Sequence, residues 1–172
     1  LKLPALKFRL YGRPEDAASY SSVFDPASWA MQAFGRPDRM LNGSEPLSEK
    51  DATELCAIVE RILSCHAVAA ATGNADAMDD LEMMAYNALP STLSPDGKGV
   101  RYYNRLNQLQ CTLDEKLGVE CNPTGDSVCA GPDSGYACCR SNHHVGLPKF
   151  VESMWMEVLW GGYRAVAYGE CL

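Results

Sequence analysis

The chain has 172 residues, 47% of them hydrophobic and 22% charged, with a formal charge of −7. Those values fit a soluble globular protein with one substantial core. The acidic balance argues against nucleic acid or an anionic membrane as partner, and no apolar run is expected to reach the roughly 20 residues of a membrane span.

The chain opens on Leu1-Lys-Leu-Pro-Ala-Leu6 without an initiator Met and reads as the interior of a longer protein. Residues 1–11 predict a short helix stopped at Gly12, and Arg13-Pro-Glu-Asp16 a turn and helix start. Residues 26–34 predict a helix with Trp29, Met31 and Phe34 available for packing, broken by Gly35-Arg-Pro37. Residues 36–50 form a polar loop, of a length that often carries function. It contains Asp38, Glu45 and the sequon Asn42-Gly-Ser44.

The clearest helix is expected from about Thr53 to Thr72, with Gly73 as its stop. Leu55, Ile58, Val59, Ile62 and Leu63 form its apolar stripe, and Glu60 and Arg61 lie off it. Glu54 and Cys56 point about 200° apart in a regular helix. They can serve one metal ion only at an irregular first turn, where the positive helix end also favours a thiolate. A second helix is expected from Ala75 to Leu89, with Asp79, Asp80 and Glu82 on its wet side and Pro90 at its end. Ser94-Pro-Asp-Gly97 predicts a turn and Val100–Tyr103 a short strand. Residues 104–135 read as irregular, and the paired Cys138-Cys139 as leading into a polar loop. Pro148 suits the first turn of a helix running to Leu159. Gly161-Gly162 stops it, and Tyr163–Tyr168 is a final strand.

Eight cysteines are present: Cys56, Cys65, Cys111, Cys121, Cys129, Cys138, Cys139 and Cys171. Adjacent cysteines pair with each other only under strain. We therefore read Cys56, Cys138 and Cys139 as thiolates that complete, with Glu54, a tetrahedral zinc set of three sulfurs and one carboxylate. Cys121 and Cys129 flank a Pro/Gly loop and can form a disulfide in an exported protein. Each candidate has a plainer reading beside it. Cys138 and Cys139 can be buried or redox-active thiols, and Cys56 a structural cysteine at the edge of the apolar stripe. Glu54 can close a capping box with Asp51. His66 extends the apolar stripe and reads as a packed core residue. His143 or His144 can line a pocket or sit in a solvated loop, and Tyr102 and Tyr103 can be sheet aromatics.

The segments Glu54-Leu-Cys-Ala-Ile-Val-Glu60, Tyr86-Asn-Ala-Leu89, Gly135-Tyr-Ala-Cys-Cys139, Asn142-His-His-Val-Gly-Leu-Pro-Lys-Phe150 and Ala165-Val-Ala-Tyr168 occur in this order. Together they resemble the catalytic domain of glycoside hydrolase family 127, the β-L-arabinofuranosidases and their relatives, over most of the chain. The resemblance implies a mainly α fold, part of an (α/α)6 barrel with short β-hairpin insertions. Residues 1–160 would be the C-terminal part of that barrel, and 161–172 a strand beginning a β-sandwich domain. It implies a retaining hydrolase for terminal β-L-arabinofuranosyl or similar pentosyl residues, acting on an arabinose-containing glycan. Cys138 would be the nucleophile, and Glu54, Cys56, Cys138 and Cys139 the ligands of Zn2+. Glu45, in Gly43-Ser-Glu-Pro-Leu-Ser48, matches the family's acid/base segment, with Asp38 as the second candidate. Tyr103 and His143 are the candidate sugar contacts, and further sugar-gripping histidines would lie upstream of Leu1. The alternative is a zinc-stapled structural or carbohydrate-binding module without turnover.

Overall fold

The computed structural model describes residues 2–18, 31, 35–41, 52–105 and 129–169. Glu45, the sequon, Asp51, Cys111, Cys121, Cys171 and all of the helix expected over 26–34 except Met31 lie outside them. Two N-terminal helices, α1 (Lys2–Tyr11) and α2 (Pro14–Ala18), bear out the first two expectations. Gly12, at φ +66°, separates them.

The centre of the structure is α3 (Leu55–Thr72), which packs against α1, α4 (Ala75–Met83) and α5 (Ala137–Ser153). Leu55, Ile58, Val59, Ile62, Cys65 and Val68 are buried along it. Each large apolar side chain buried in this way contributes about 1.5–3 kcal/mol. Contrary to the expectation above, α3 is long and apolar enough to cross a membrane by length and composition. Half of it is buried inside the protein, as befits a core helix. It ends where Gly73 takes a left-handed conformation and donates its N–H to Ala69 O at 2.8 Å. Asn74 then caps α4, its Oδ1 accepting the Ala77 N–H at 2.8 Å.

Two arginines, one off the apolar stripe and one in the polar loop, are internal. Arg61 is buried, donates to Asp80 Oδ2 at 2.8 Å and also bonds Arg39 O. Arg36 is buried as well. It holds Asp38 through two nitrogens, at 3.1 and 2.7 Å, and also reaches Thr53 Oγ1 at 2.7 Å and Asn104 O at 2.9 Å. That single guanidinium ties the 35–41 loop to both strands of the small sheet described next.

β1 (Thr53–Glu54) and β2 (Tyr103–Asn104) pair antiparallel, Thr53 opposite Asn104 and Glu54 opposite Tyr103. The strand expected at Val100–Tyr103 is therefore displaced. Val100 instead bridges Leu93 and Gly131. The helix expected to reach Leu89 changes character at Met84. Residues Met84–Ala88 form a π-turn, closed by the Leu89 N–H to Met84 O bond at 2.9 Å. The inserted residue buries Met84, Ala85 and Ala88 and leaves Tyr86 half exposed, its hydroxyl donating to Tyr168 O.

The largest revision concerns α5. It begins at Ala137, so the paired cysteines and Arg140-Ser-Asn-His-His144 are helical rather than a loop, and Pro148 lies inside the helix rather than at its start. A buried face of Cys139, Gly146, Phe150 and Ser153 packs it against the core and overrides the local signals. Gly146 permits the close approach: a Cβ there would lie 3.0 Å from Leu89 Cδ2 and 3.2 Å from Val59 Cγ2. The helix ends at Ser153, short of Leu159. Residues Trp155–Glu157 (β3) pair antiparallel with Tyr163–Ala165 (β4), joined by a turn in which Trp160, Gly161 and Gly162 all have positive φ. The described residues are thus mainly helical, with two two-stranded sheets.

Candidate metal centre

Both ligand segments sit where an extended residue enters a helix. Glu54 precedes α3 with φ −71° and ψ 139°, and Cys56 follows in the first turn. Glu54 occupies the cap position itself and makes no side-chain cap bond, so its carboxylate is available to the cluster. Tyr136 precedes α5 in the same extended manner, with Cys138 and Cys139 in its first turn. The extended residue at 54 removes the 200° separation that a continuous helix would impose on Glu54 and Cys56.

One ligand atom each from Glu54, Cys56, Cys138 and Cys139 lies within 4.8 Å of all the others. The Sγ atoms of Cys56 and Cys139 are 3.3 Å apart, and Glu54 Oε1 lies 3.7 Å from Cys138 Sγ and 3.6 Å from Cys139 Sγ. A tetrahedral ion with metal–sulfur bonds near 2.3 Å requires edges of about 3.6–3.8 Å, so the set has the size and donor chemistry of a closed metal site. These four residues, close together, can hold a metal ion. The sulfurs differ in access: Cys139 is buried, Cys56 half-buried and Cys138 exposed.

Burial pushes the Cys56 thiol up to about 11, opposed by hydrogen bonds from Asn142 and Cys139. Burial, with the Cys56 contact, also pushes the Cys139 thiol well above its ordinary value. Without an ion these two sulfurs are thiols at neutral pH. An ion must displace their protons to bind.

Two polar side chains touch the sulfurs from outside the ligand set. The hydroxyl of the buried Tyr102 lies 3.8 Å from Cys138 Sγ, and Asn142 Nδ2 lies 3.3 Å from Cys56 Sγ. Burial, then hydrogen bonds with Cys138 and Glu54, raise the Tyr102 phenol, which stays neutral. Its ring stands edge-on to Tyr103 and Tyr136, with centroids 4.8 and 5.6 Å away. Gly135 makes room for it, because a Cβ there would fall 2.4 Å from the ring. The sequence reads Tyr102 as a sheet aromatic and gives Asn142 no role. Asn142 becomes visible only once α5 is started at Ala137, which places it three and four residues beyond the two cysteines, on their side of the helix.

Of the other expected site residues, Tyr103 is half-buried directly opposite Glu54 in the β1–β2 register. His143 lies on α5, half-buried and edge-on to His144 at 6.4 Å, its pKa lowered by burial and by its neighbour. Asp38 is committed to Arg36 and to the Met40 N–H, a structural employment that leaves it poorly suited to proton transfer. His66, expected in the core, is half-buried and bonded to Ser153 Oγ.

The sequence model of the β-L-arabinofuranosidase GH127 catalytic domain matches residues 20–152. The chain belongs to this family. The match spans both ligand segments and ends one residue before α5 does, at Glu152. Membership of GH127 makes the chain glycosidase-like at the family level, with carbohydrate as the general substrate class. No curated protein matches the chain, and no solved structure does.

Proposed function

We propose that the cluster is the zinc centre of a retaining glycoside hydrolase that removes terminal β-L-arabinofuranosyl or similar pentosyl residues from arabinose-containing glycans. The observation that supports this reading is the convergence of one carboxylate and three sulfurs within 4.8 Å in a GH127 chain. Three soft sulfur donors and a carboxylate at these separations suit zinc better than a hard, oxygen-preferring cation. A bound zinc ion would keep the coordinated sulfurs deprotonated at neutral pH.

In this reading Glu54, Cys56 and Cys139 are ligands alone, and Cys138 is ligand and nucleophile. Cys138 suits that double role as the exposed sulfur of the three. Its Sγ forms a bond to the anomeric carbon as the glycosidic C–O bond breaks, and Glu45 delivers a proton to the departing oxygen. Glu45 then takes a proton from water, whose oxygen bonds to the anomeric carbon as the C–S bond breaks. Two inversions retain configuration. Tyr103, beside Glu54, and His143, one helical turn beyond Cys139, are the proposed sugar contacts. Residues 1–160 are assigned to an (α/α)6 barrel and 161–172 to the start of a β-sandwich.

Hydrolysis of an aryl β-L-arabinofuranoside by the full-length protein tests the assignment. Cys138→Ala should abolish turnover, and Glu45→Gln should depress it by two or more orders of magnitude, in the range typical of acid/base catalysis. Undiminished turnover in Cys138→Ala would remove the nucleophile assignment. A bound zinc ion with no turnover on any pentoside would favour a zinc-stapled module.

A further inference from the structure

We propose that Asn142 is a positioning residue of the metal centre, fixing the Cys56 sulfur toward the ion through an amide N–H···S hydrogen bond. The inference rests on the reading of Glu54, Cys56, Cys138 and Cys139 as a metal site. Asn142 lies on α5, the helix that supplies Cys138 and Cys139, whereas Cys56 lies on α3. Their contact, Nδ2 to Sγ at 3.3 Å, spans 86 positions of sequence and joins the two helices that carry the sulfurs. The short asparagine arm reaches across because the helices are close. Gly146, one turn further along the same side of α5, sits against Val59, one turn beyond Cys56 on α3.

The chemistry of the sulfurs fixes the direction of the bond. A metal-bound thiolate accepts hydrogen bonds and donates none, so the amide nitrogen must face it. Among the three sulfurs, Cys139 meets Cys56 and Glu54, and Cys138 meets Glu54 and Tyr102. The Asn142 donor therefore falls on Cys56, the cysteine that reaches the site from a different helix than the other two. Partners in this outer layer orient ligands, and losing one typically weakens metal binding by about 10–100-fold.

The test is metal binding by the full chain, read with zinc against a chromophoric chelator and with cobalt(II) by absorption. Asn142→Leu keeps the size and removes the donor. Asn142→Asp keeps the shape and sets a carboxylate against the sulfur. Both should keep the far-ultraviolet circular dichroism of the parent and one ion per chain, with zinc affinity about 10–100-fold weaker. The sulfur-to-cobalt charge-transfer band should move to lower energy, because a thiolate that loses a hydrogen bond becomes easier to oxidise. Packing loss alone would not shift that band. If either folded variant matches the parent in both affinity and band energy, or binds more tightly, Asn142 does not position Cys56. A parent chain that binds neither ion overturns the metal reading itself, and the Asn142 role with it.

Discussion

Cys56 and Cys139 hold their sulfurs 3.3 Å apart from opposite sides of the α3–α5 interface. Each thus contributes to a site that neither helix could build alone. Replacing Cys56 by Ser should weaken zinc binding by at least about 100-fold, since a neutral hydroxyl is a poor substitute for a soft thiolate. Chelator competition reads the constant. An unchanged affinity in the folded variant would show that Cys56 is not a ligand.

Gly146 sets how closely the two helices approach. A β-branched side chain there must displace Leu89 and Val59, so Gly146→Val should destabilise the protein by about 1–3 kcal/mol. Metal affinity should fall in parallel as α5 moves away from α3. Urea unfolding together with a zinc titration checks both. A fully stable Val variant with native affinity would mean that the contact is not limiting.

The Arg61–Asp80 pair joins α3 to α4, with Asp80 also 3.7 Å from Arg39. Arg61→Ala leaves the Asp80 carboxylate largely out of water without its closest cation, and should cost about 3–5 kcal/mol. The double replacement Arg61→Met with Asp80→Leu should recover much of that loss. If the single and double variants unfold at the same denaturant concentration, the pair does not act as a unit.

These points mark what local pattern could reveal. The α3 stripe, its glycine stop and the start of α4 follow from helical spacing and end signals, and the structure places them where the pattern does. The convergence of Glu54, Cys56, Cys138 and Cys139 was legible from their chemistry together with the family's motifs. The burial of Arg61 was not legible because its partners lie on α4 and in the 35–41 loop, out of view of any single-helix pattern. The first turns of α5 were misread for a related reason. Pro148 signals a helix start, and Arg140-Ser-Asn-His-His144 signals solvent, yet burial against α3 outweighs both. The π-turn at Met84–Ala88 has no local signature, since it serves packing against residues distant in sequence.

His66 offers a pH-dependent prediction. Burial lowers its pKa, with Lys149 and Arg9 acting in the same direction and Glu152 opposing them. The folded state thus binds the proton less well than the unfolded chain. Its stabilising contribution is complete above the unfolded value near 6.5 and is lost as pH falls through the lower folded value. Stability should therefore decline below about pH 6.5, and His66→Gln should flatten that part of the profile. Equal slopes in parent and variant between pH 7 and 5, measured by urea unfolding, would remove His66 as a cause.

The Cys56–Cys139 contact also closes a covalent path of 83 residues, taking in α4, the π-turn and β2. An ion shared by those two sulfurs links the chain to itself as a disulfide of the same span would. For a loop of that length, chain-entropy reasoning puts the restriction of the unfolded ensemble at about 4.6 kcal/mol. That is comparable with the whole stability of many domains, roughly 5–15 kcal/mol. Withdrawing the ion would then loosen α5 and its hairpin as well as empty the site, and a chelator would read as a denaturant.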